Sequence, residues 1–475
     1  MSPFDKLRVN GKPGYQTSPL ILSLSKDEQR YFQLNKNISY KEINDDVIDA
    51  MTRTGPLYYV VLAIVTILTL LLFFLPWIYQ IKVGQGVTGL NNPSYWGVYL
   101  VNFVFWVGVA HAGTLISAML YITRTQWRRS VHRSAETMTF FALIIAVSFI
   151  MVHMGRVWNF YWVLPYPNQR TIWTNFISPL MFDVFAIGTY FLSSLIFLYF
   201  GLIPDIAAIR HRSAGWRRRL YVMLSLGWRG TDREWYIRDK AYMLFSVLIL
   251  PLVVSVHSIV SWDFALGIVP GLHKTVFAPY FVTGALYSGF AGVVLLISIL
   301  RRVQQSSAKY ITERHYDRIG ITLLALSLLW SYLTILEIVM GLTSHSSFEL
   351  EHLRYKLLNP GFAGLTALMI FSNTILPLSL SIRKVRVSIT CQFIISIFIL
   401  TGMWLERFLI FGTSLPRKFL PYAWHDYHPG WVEIAITAGS FFLFILMFMI
   451  FMKIFPVISI TEVKEEAGMP KEKET

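Results

Sequence analysis

The chain has 475 residues, of which 55% are hydrophobic and only 15% charged, with a formal net charge of +15. A water-soluble protein of this length needs far more polar surface, so that class is excluded. The positive charge is assigned to membrane topology rather than to nucleic acid, because the basic residues fall in loops between apolar runs. The single cysteine, Cys391, excludes an intrachain disulfide, a cysteine-ligated iron–sulfur cluster and a c-type haem attachment motif.

Residues 1–50 are polar and lack the apolar core of a secretory signal, which predicts a cytoplasmic arm ending in a short amphipathic stretch near 40–51. Ten apolar segments follow, near 57–80, 97–122, 135–157, 179–203, 241–264, 277–300, 319–342, 361–382, 388–411 and 431–454. Each is long enough as a helix to cross a hydrocarbon layer of about 30 Å. The predicted fold is an all-α polytopic membrane protein, with a ten-helix domain over 51–456 and a charged cytoplasmic tail over 457–475. Pro76, Pro251 and Pro377 predict kinks or early helix ends.

The loops set the orientation. Arg124, Arg128, Arg129 and Arg133 follow the second helix, and a dense run from Arg210 to Lys240 follows the fourth. Arg301, Arg302, Lys309, Arg314 and Arg318 follow the sixth, and Arg383, Lys384 and Arg386 the eighth. The opposite loops carry only scattered cations such as Lys82, Arg170, Lys274, Lys356 and Arg417. The basic side is therefore read as cytoplasmic, with both termini inside, as an even helix count requires. Gly215 to Trp228 mixes arginines with apolar residues and reads as an interfacial helix on anionic lipid. The outer loops are aromatic, with Trp158, Tyr161, Trp162, Tyr166 and Trp173, then Tyr422, Trp424, Tyr427 and Trp431. An interfacial belt and a docking face for an extracytoplasmic protein both explain them.

Ionisable groups inside membrane segments are functional candidates by default. The third helix runs outward and ends with His153 and Arg156, which share a face at a spacing of three residues. The fourth runs inward and begins near Asp183, while the fifth runs outward and carries His257 and Asp263. His153, Asp183 and Asp263 therefore fall at one shallow depth beneath the outer surface. His257 and Asp263 lie about 120° apart on their helix, so Asp263 is assigned to the pocket and His257 and Arg156 to support. Ordinary packing accounts for each residue alone: a histidine bonded to a neighbouring helix, an Asp cap, a snorkelling arginine. A base and two carboxyls at one depth on adjacent helices suit a quinol, whose oxidation releases two protons that need acceptors. A bis-histidine haem b on His153 and His257 is the rival, although only His111 remains as a deep histidine for a second pair. A channel or transporter is the third class.

At these residues the chain resembles the NrfD/polysulfide reductase membrane-subunit family. It is similar above all to the family's long form, the quinol-oxidising subunit ActC of bacterial alternative complex III. The likeness rests on VAHAGTLISA at 109–118, IMVHMGRVWNFYW at 150–162, PLMFDVFAIGTYF at 179–191 and SVHSIVSWDFA at 255–265. It implies two four-helix bundles, of helices 2–5 and 6–9, flanked by helices 1 and 10. It implies that His153, Asp183 and Asp263 line a menaquinol or ubiquinol site, with weaker carry-overs at Arg407, Glu337 and His345. No haem or iron–sulfur cluster would sit on this chain. Electrons would pass to an extracytoplasmic iron–sulfur subunit and then to c-type haem subunits, beside a second NrfD-like membrane subunit, in a bacterial cytoplasmic membrane. His111, Thr114, Ser117, Glu136 and Tyr190 are candidates for a proton path, with interhelical hydrogen bonding as the plain alternative. The alternative within the family is a quinone-reducing membrane anchor of a molybdenum or sulfur-compound reductase, with the same pocket and reversed electron flow.

Overall fold

The computed structural model describes residues 40–52, 54–122, 131–163, 180–303 and 311–462. Among them there is no β-strand, and 10 helices are long and apolar enough to cross a membrane. They are α1 (Pro56–Val83), α2 (Gly97–Ile122), α3 (His132–Met154), α4 (Leu180–Arg210) and α5 (Asp232–Ala265). Then come α6 (Phe277–Val303), α7 (Glu313–Thr343), α8 (Pro360–Ser381), α9 (Ile389–Ser414) and α10 (Trp431–Ile454). The chain is a multi-pass helical membrane protein. The predicted segments 1–39, part of the arginine loop after α2, and the aromatic positions Tyr166 and Trp173 lie outside the described residues.

Helix ends follow local chemistry. α5 begins well before its apolar run, because Thr231 and Glu234 form a capping box in which Glu234 N donates to Thr231 Oγ1 (3.3 Å). Pro76 lacks an N–H and its ring crowds the preceding turn. The widened π-helical turn Leu70–Phe74 just ahead of it absorbs that mismatch, and α1 continues. α8 repeats the device, with a π-turn at Phe371–Ile375 before Pro377, and then tightens into a 3₁₀ end at Leu376–Ser381. Pro251, and Pro204 in α4, sit inside uninterrupted helices.

α2 is buried on every side, whereas α1 and α10 keep most of their surface outward and pack on each other. α2 packs on α3, α5, α6 and α9. α3 also meets α4, and α4 meets α5. α6 meets α7 and α9, and α8 meets both α7 and α9. In lipid the driving force is close packing and interhelical hydrogen bonding, and the α2–α3 contact shows both. A Cβ at Gly113 would strike the Ala135 carbonyl and Thr139 Oγ1. Thr139 Oγ1 donates to Ala110 O (2.7 Å) and accepts from Thr114 N (3.0 Å). Asn102 joins three helices, accepting from Trp404 Nε1 (2.8 Å) and donating to Thr437 Oγ1 (2.7 Å).

Successive spans alternate in direction, so among the described residues one end gathers the arginine-rich loop segments and the other the aromatic ones. At the basic end, Val457, Ile458 and Ile460 are buried. Thr461 donates from N and Oγ1 to Asp205 Oδ1 (3.0 and 2.8 Å). The stretch Val457 to Glu462, the start of the segment assigned to the charged tail, is held against α3 and α4 by these bonds and by contacts of Ser134 and His132 with Val457 O and Glu462.

Candidate functional site

At the aromatic end the last turn of α3, the first of α4 and the last of α5 surround a cavity of about 640 Å³. His153, Asp183 and Asp263 all line it. Most of the remaining wall is apolar, including Trp96, Leu100, Phe103, Ile150, Met154, Phe191 and Phe264. That combination of size, apolar wall and few convergent polar groups is typical of a small-molecule site. The Asp183 and Asp263 carboxyls lie within hydrogen-bonding reach of each other. No donor elsewhere among the described residues reaches Oδ1 of either aspartate.

His153 is held by a platform that sequence reasoning missed. The Trp96 indole stacks on its imidazole, with centroids 4.7 Å apart and planes at 15°. Gln85 Nε2 donates to the His153 carbonyl (2.6 Å), and Gln80 Nε2 donates to the Val152 carbonyl (2.9 Å). These bonds satisfy carbonyls that a helix C-terminus otherwise leaves open. Tyr99, another wall residue, donates to Gln80 Oε1 (2.5 Å). The helix ends at Gly155, whose φ of 69° favours glycine and where a Cβ would come within 2.8 Å of Gln85 Nε2. The glutamines lie just beyond an apolar run, where they read as interface polarity. Only their reach across α3 shows their use.

The other candidates fall elsewhere. Arg156 is exposed and does not line the cavity. His257 is buried on the far face of α5, its ring 4.5 Å from that of His111 at 61°. His257 does not line the cavity that His153 faces, so these two histidines do not share one pocket. His153 stacks on tryptophan instead of facing His257, so the haem rival loses its first pair. Arg407 is buried on α9, paired with Glu406 (3.1 Å), its guanidinium 4.2 Å from the Phe281 ring centroid. Glu337 forms a buried triad with Lys274 (2.7 Å) and Lys356 (3.2 Å). Those lysines, read as loop charges, are buried and share the one Glu337 carboxylate. His345 is exposed, with φ 54°.

The path residues occupy one buried seam between α2, α3, α4 and α5. Ser117 Oγ donates to Glu136 Oε1 (2.6 Å), which also accepts from Tyr242 OH (2.5 Å). Thr114 Oγ1 and Tyr190 OH are 2.7 Å apart, and Tyr190 lies beside His111, centroids 4.8 Å apart. Toward the basic end Arg133 lies 3.6 Å from Glu136 and 3.1 Å from Asp205. Among the described residues no three His, Cys, Asp or Glu side chains gather as a metal site.

Residues 86–416 match the family described as Polysulphide reductase, NrfD, and this stretch includes the whole cavity wall. The chain belongs to this family. A putative dimethyl sulfoxide reductase membrane subunit from Halobacterium salinarum is 29% identical over 226 residues, covering 47% of this chain and 47% of that protein. A selenate reductase subunit from Mesobacillus selenatarsenatis is 20% identical over 264 residues, covering 54% of this chain and 59% of that protein. The chain thus spans about half the length of the curated relatives it matches.

Proposed function

We propose that the cavity is a quinol site and that the chain is the quinol-oxidising membrane subunit of an oxidoreductase complex. The observation that carries this reading is the convergence of one imidazole and two touching carboxyls on a single apolar cavity at a helix-bundle end. Removing two electrons from a quinol also releases a proton from each hydroxyl. His153 and the aspartate pair, which line the same cavity, are positioned to accept one each. The apolar wall suits the ring and the first isoprenoid units. We read the helices as two four-helix bundles, α2–α5 and α6–α9, because each set closes in a ring of neighbour contacts. The basic end is taken as cytoplasmic, so protons from the cavity leave outside.

Electrons leave through an iron–sulfur subunit docked on the aromatic loops. Two assemblies fit beyond that. The names of the relatives favour a terminal reductase. Such a complex consumes electrons, so its membrane subunit oxidises quinol, and the reversed flow expected for that alternative does not balance. The motifs around His153, Asp183 and Asp263 favour alternative complex III, with c-type haem partners and a second NrfD-like subunit. The purified complex separates these readings: a c-type haem spectrum supports the latter, and bound molybdenum the former. The seam from Glu136 to His111 is the candidate route for coupled proton movement.

The test of the site is His153→Ala or Asp183→Asn in the assembled complex. Quinol oxidation should fall by at least about a hundredfold while the set of assembled polypeptides is unchanged. Wild-type turnover in either variant would refute the assignment.

A further inference from the structure

His153 lacks what usually orients a proton-accepting histidine. The second ring nitrogen of such a residue normally donates to a carbonyl or carboxylate, which fixes the ring. Here Nδ1 is buried and has no hydrogen-bond partner among the described residues. The ring is nevertheless constrained, because Trp96 lies parallel to it at 4.7 Å. Trp96 is itself placed by a rigid knot. Val98 N donates to Tyr427 OH (2.9 Å), and Tyr427 OH donates to Glu433 Oε1 (2.5 Å). Glu433 Oε2 accepts from Gly89 N (2.6 Å) and Gly430 N (2.7 Å). Gly97 has φ 35°, and a Cβ there would strike Tyr427 and Leu90, so the chain passes beneath Tyr427 only as glycine. The same loop carries Gln85, which grips the His153 carbonyl.

We propose that Trp96 is the positioning residue for His153, fixing the imidazole by stacking where a hydrogen-bonded acceptor would ordinarily do so, on a loop pinned by Tyr427 and Glu433. This rests on the quinol reading of the cavity. It assigns a role to an aromatic residue that an interfacial belt would otherwise explain, and it makes the geometry of His153 depend on loops contributed by α10. A ring free to turn loses the near-attack geometry, and small misplacements of a reacting group cost about a hundredfold in rate.

The experiment uses the intact complex and a short-chain quinol, comparing Trp96→Leu and Trp96→Phe with wild type and His153→Ala. Trp96→Leu should lower kcat by about ten- to a hundredfold with KM changed far less, and should move the midpoint of the pH–rate profile. Trp96→Phe keeps a stacking ring and should retain at least about a third of wild-type kcat. An unmoved kcat and pH profile in Trp96→Leu, with His153→Ala inactive, overturns the positioning role and leaves the quinol site standing. A fall in kcat with an unmoved pH profile overturns it too, since loss of packing alone predicts that. If Trp96→Leu does not assemble, Trp96→Phe carries the test, and a loss as large as that of His153→Ala overturns the proposal. Wild-type turnover in His153→Ala instead removes the underlying quinol reading.

Discussion

The aspartate pair gives the sharpest expectation. Asp183→Asn keeps side-chain volume and a hydrogen-bonding group facing Asp263, but removes one proton-accepting carboxyl from the cavity. Asp183 is only 8% exposed, so bulk water cannot replace that acceptor. Loss of a positioned proton acceptor costs about 10²–10⁴ in rate, or about 3–5 kcal/mol in transition-state stabilisation. Asp263→Asn should cost a similar amount. Because the two carboxyls touch, they act as one unit, and Asp183→Asn with Asp263→Asn should be little worse than either alone. The assay is steady-state quinol oxidation by the purified complex, normalised to assembled subunits, for wild type, both single variants and the double. Losses that multiply would show that the carboxyls work independently, and wild-type rates would show that they do not serve the reaction; either result refutes the reasoning.

Three further outcomes follow from the structure. Glu337→Leu strands the buried ammonium groups of Lys274 and Lys356, so the complex should lose about 3–5 kcal/mol of stability; melting in detergent measures it, and an unchanged midpoint would contradict the triad. His352, outside the ten spans, is held to about 3 by burial and by the charges of Lys274 and Lys356. Its folded value lies below its unfolded one, so its contribution is complete above the ordinary histidine range and is lost as pH falls toward 3. His352→Asn should therefore flatten the acid side of a stability–pH curve, and an unaltered slope would count against it. His111→Phe should reduce proton translocation per turnover while quinol oxidation continues, since His111 lies in the seam and not on the cavity wall; unchanged proton release would remove the seam as a path.

Much of the layout was legible in the residues. Ten apolar runs separated by asymmetric basic loops determine a multi-pass helical protein, because backbone groups in lipid must be satisfied within each segment. Alternating direction then places His153, Asp183 and Asp263 at one end of the molecule. Periodicity also separated Asp263 from His257, since residues on opposite faces of α5 cannot reach one cavity. Which side chains touch could not be read in this way. Glu337, Lys274 and Lys356 are distant in the chain, and only packing shows that the lysines are buried counter-ions. Arg156 shares a helix face with His153, yet the turn at Gly155 carries it out of the cavity. His257 looked like support for the pocket and proves to face His111. The Trp96 stack and the glutamine clamp depend on the relative placement of the α1–α2 loop, α3 and α10, which no local pattern encodes. Hydrophobic lengths and charge asymmetry are properties of single segments, and the sequence determines them; the meeting of imidazole, indole and carboxyls arises from helix packing in three dimensions, and only the tertiary structure decided it.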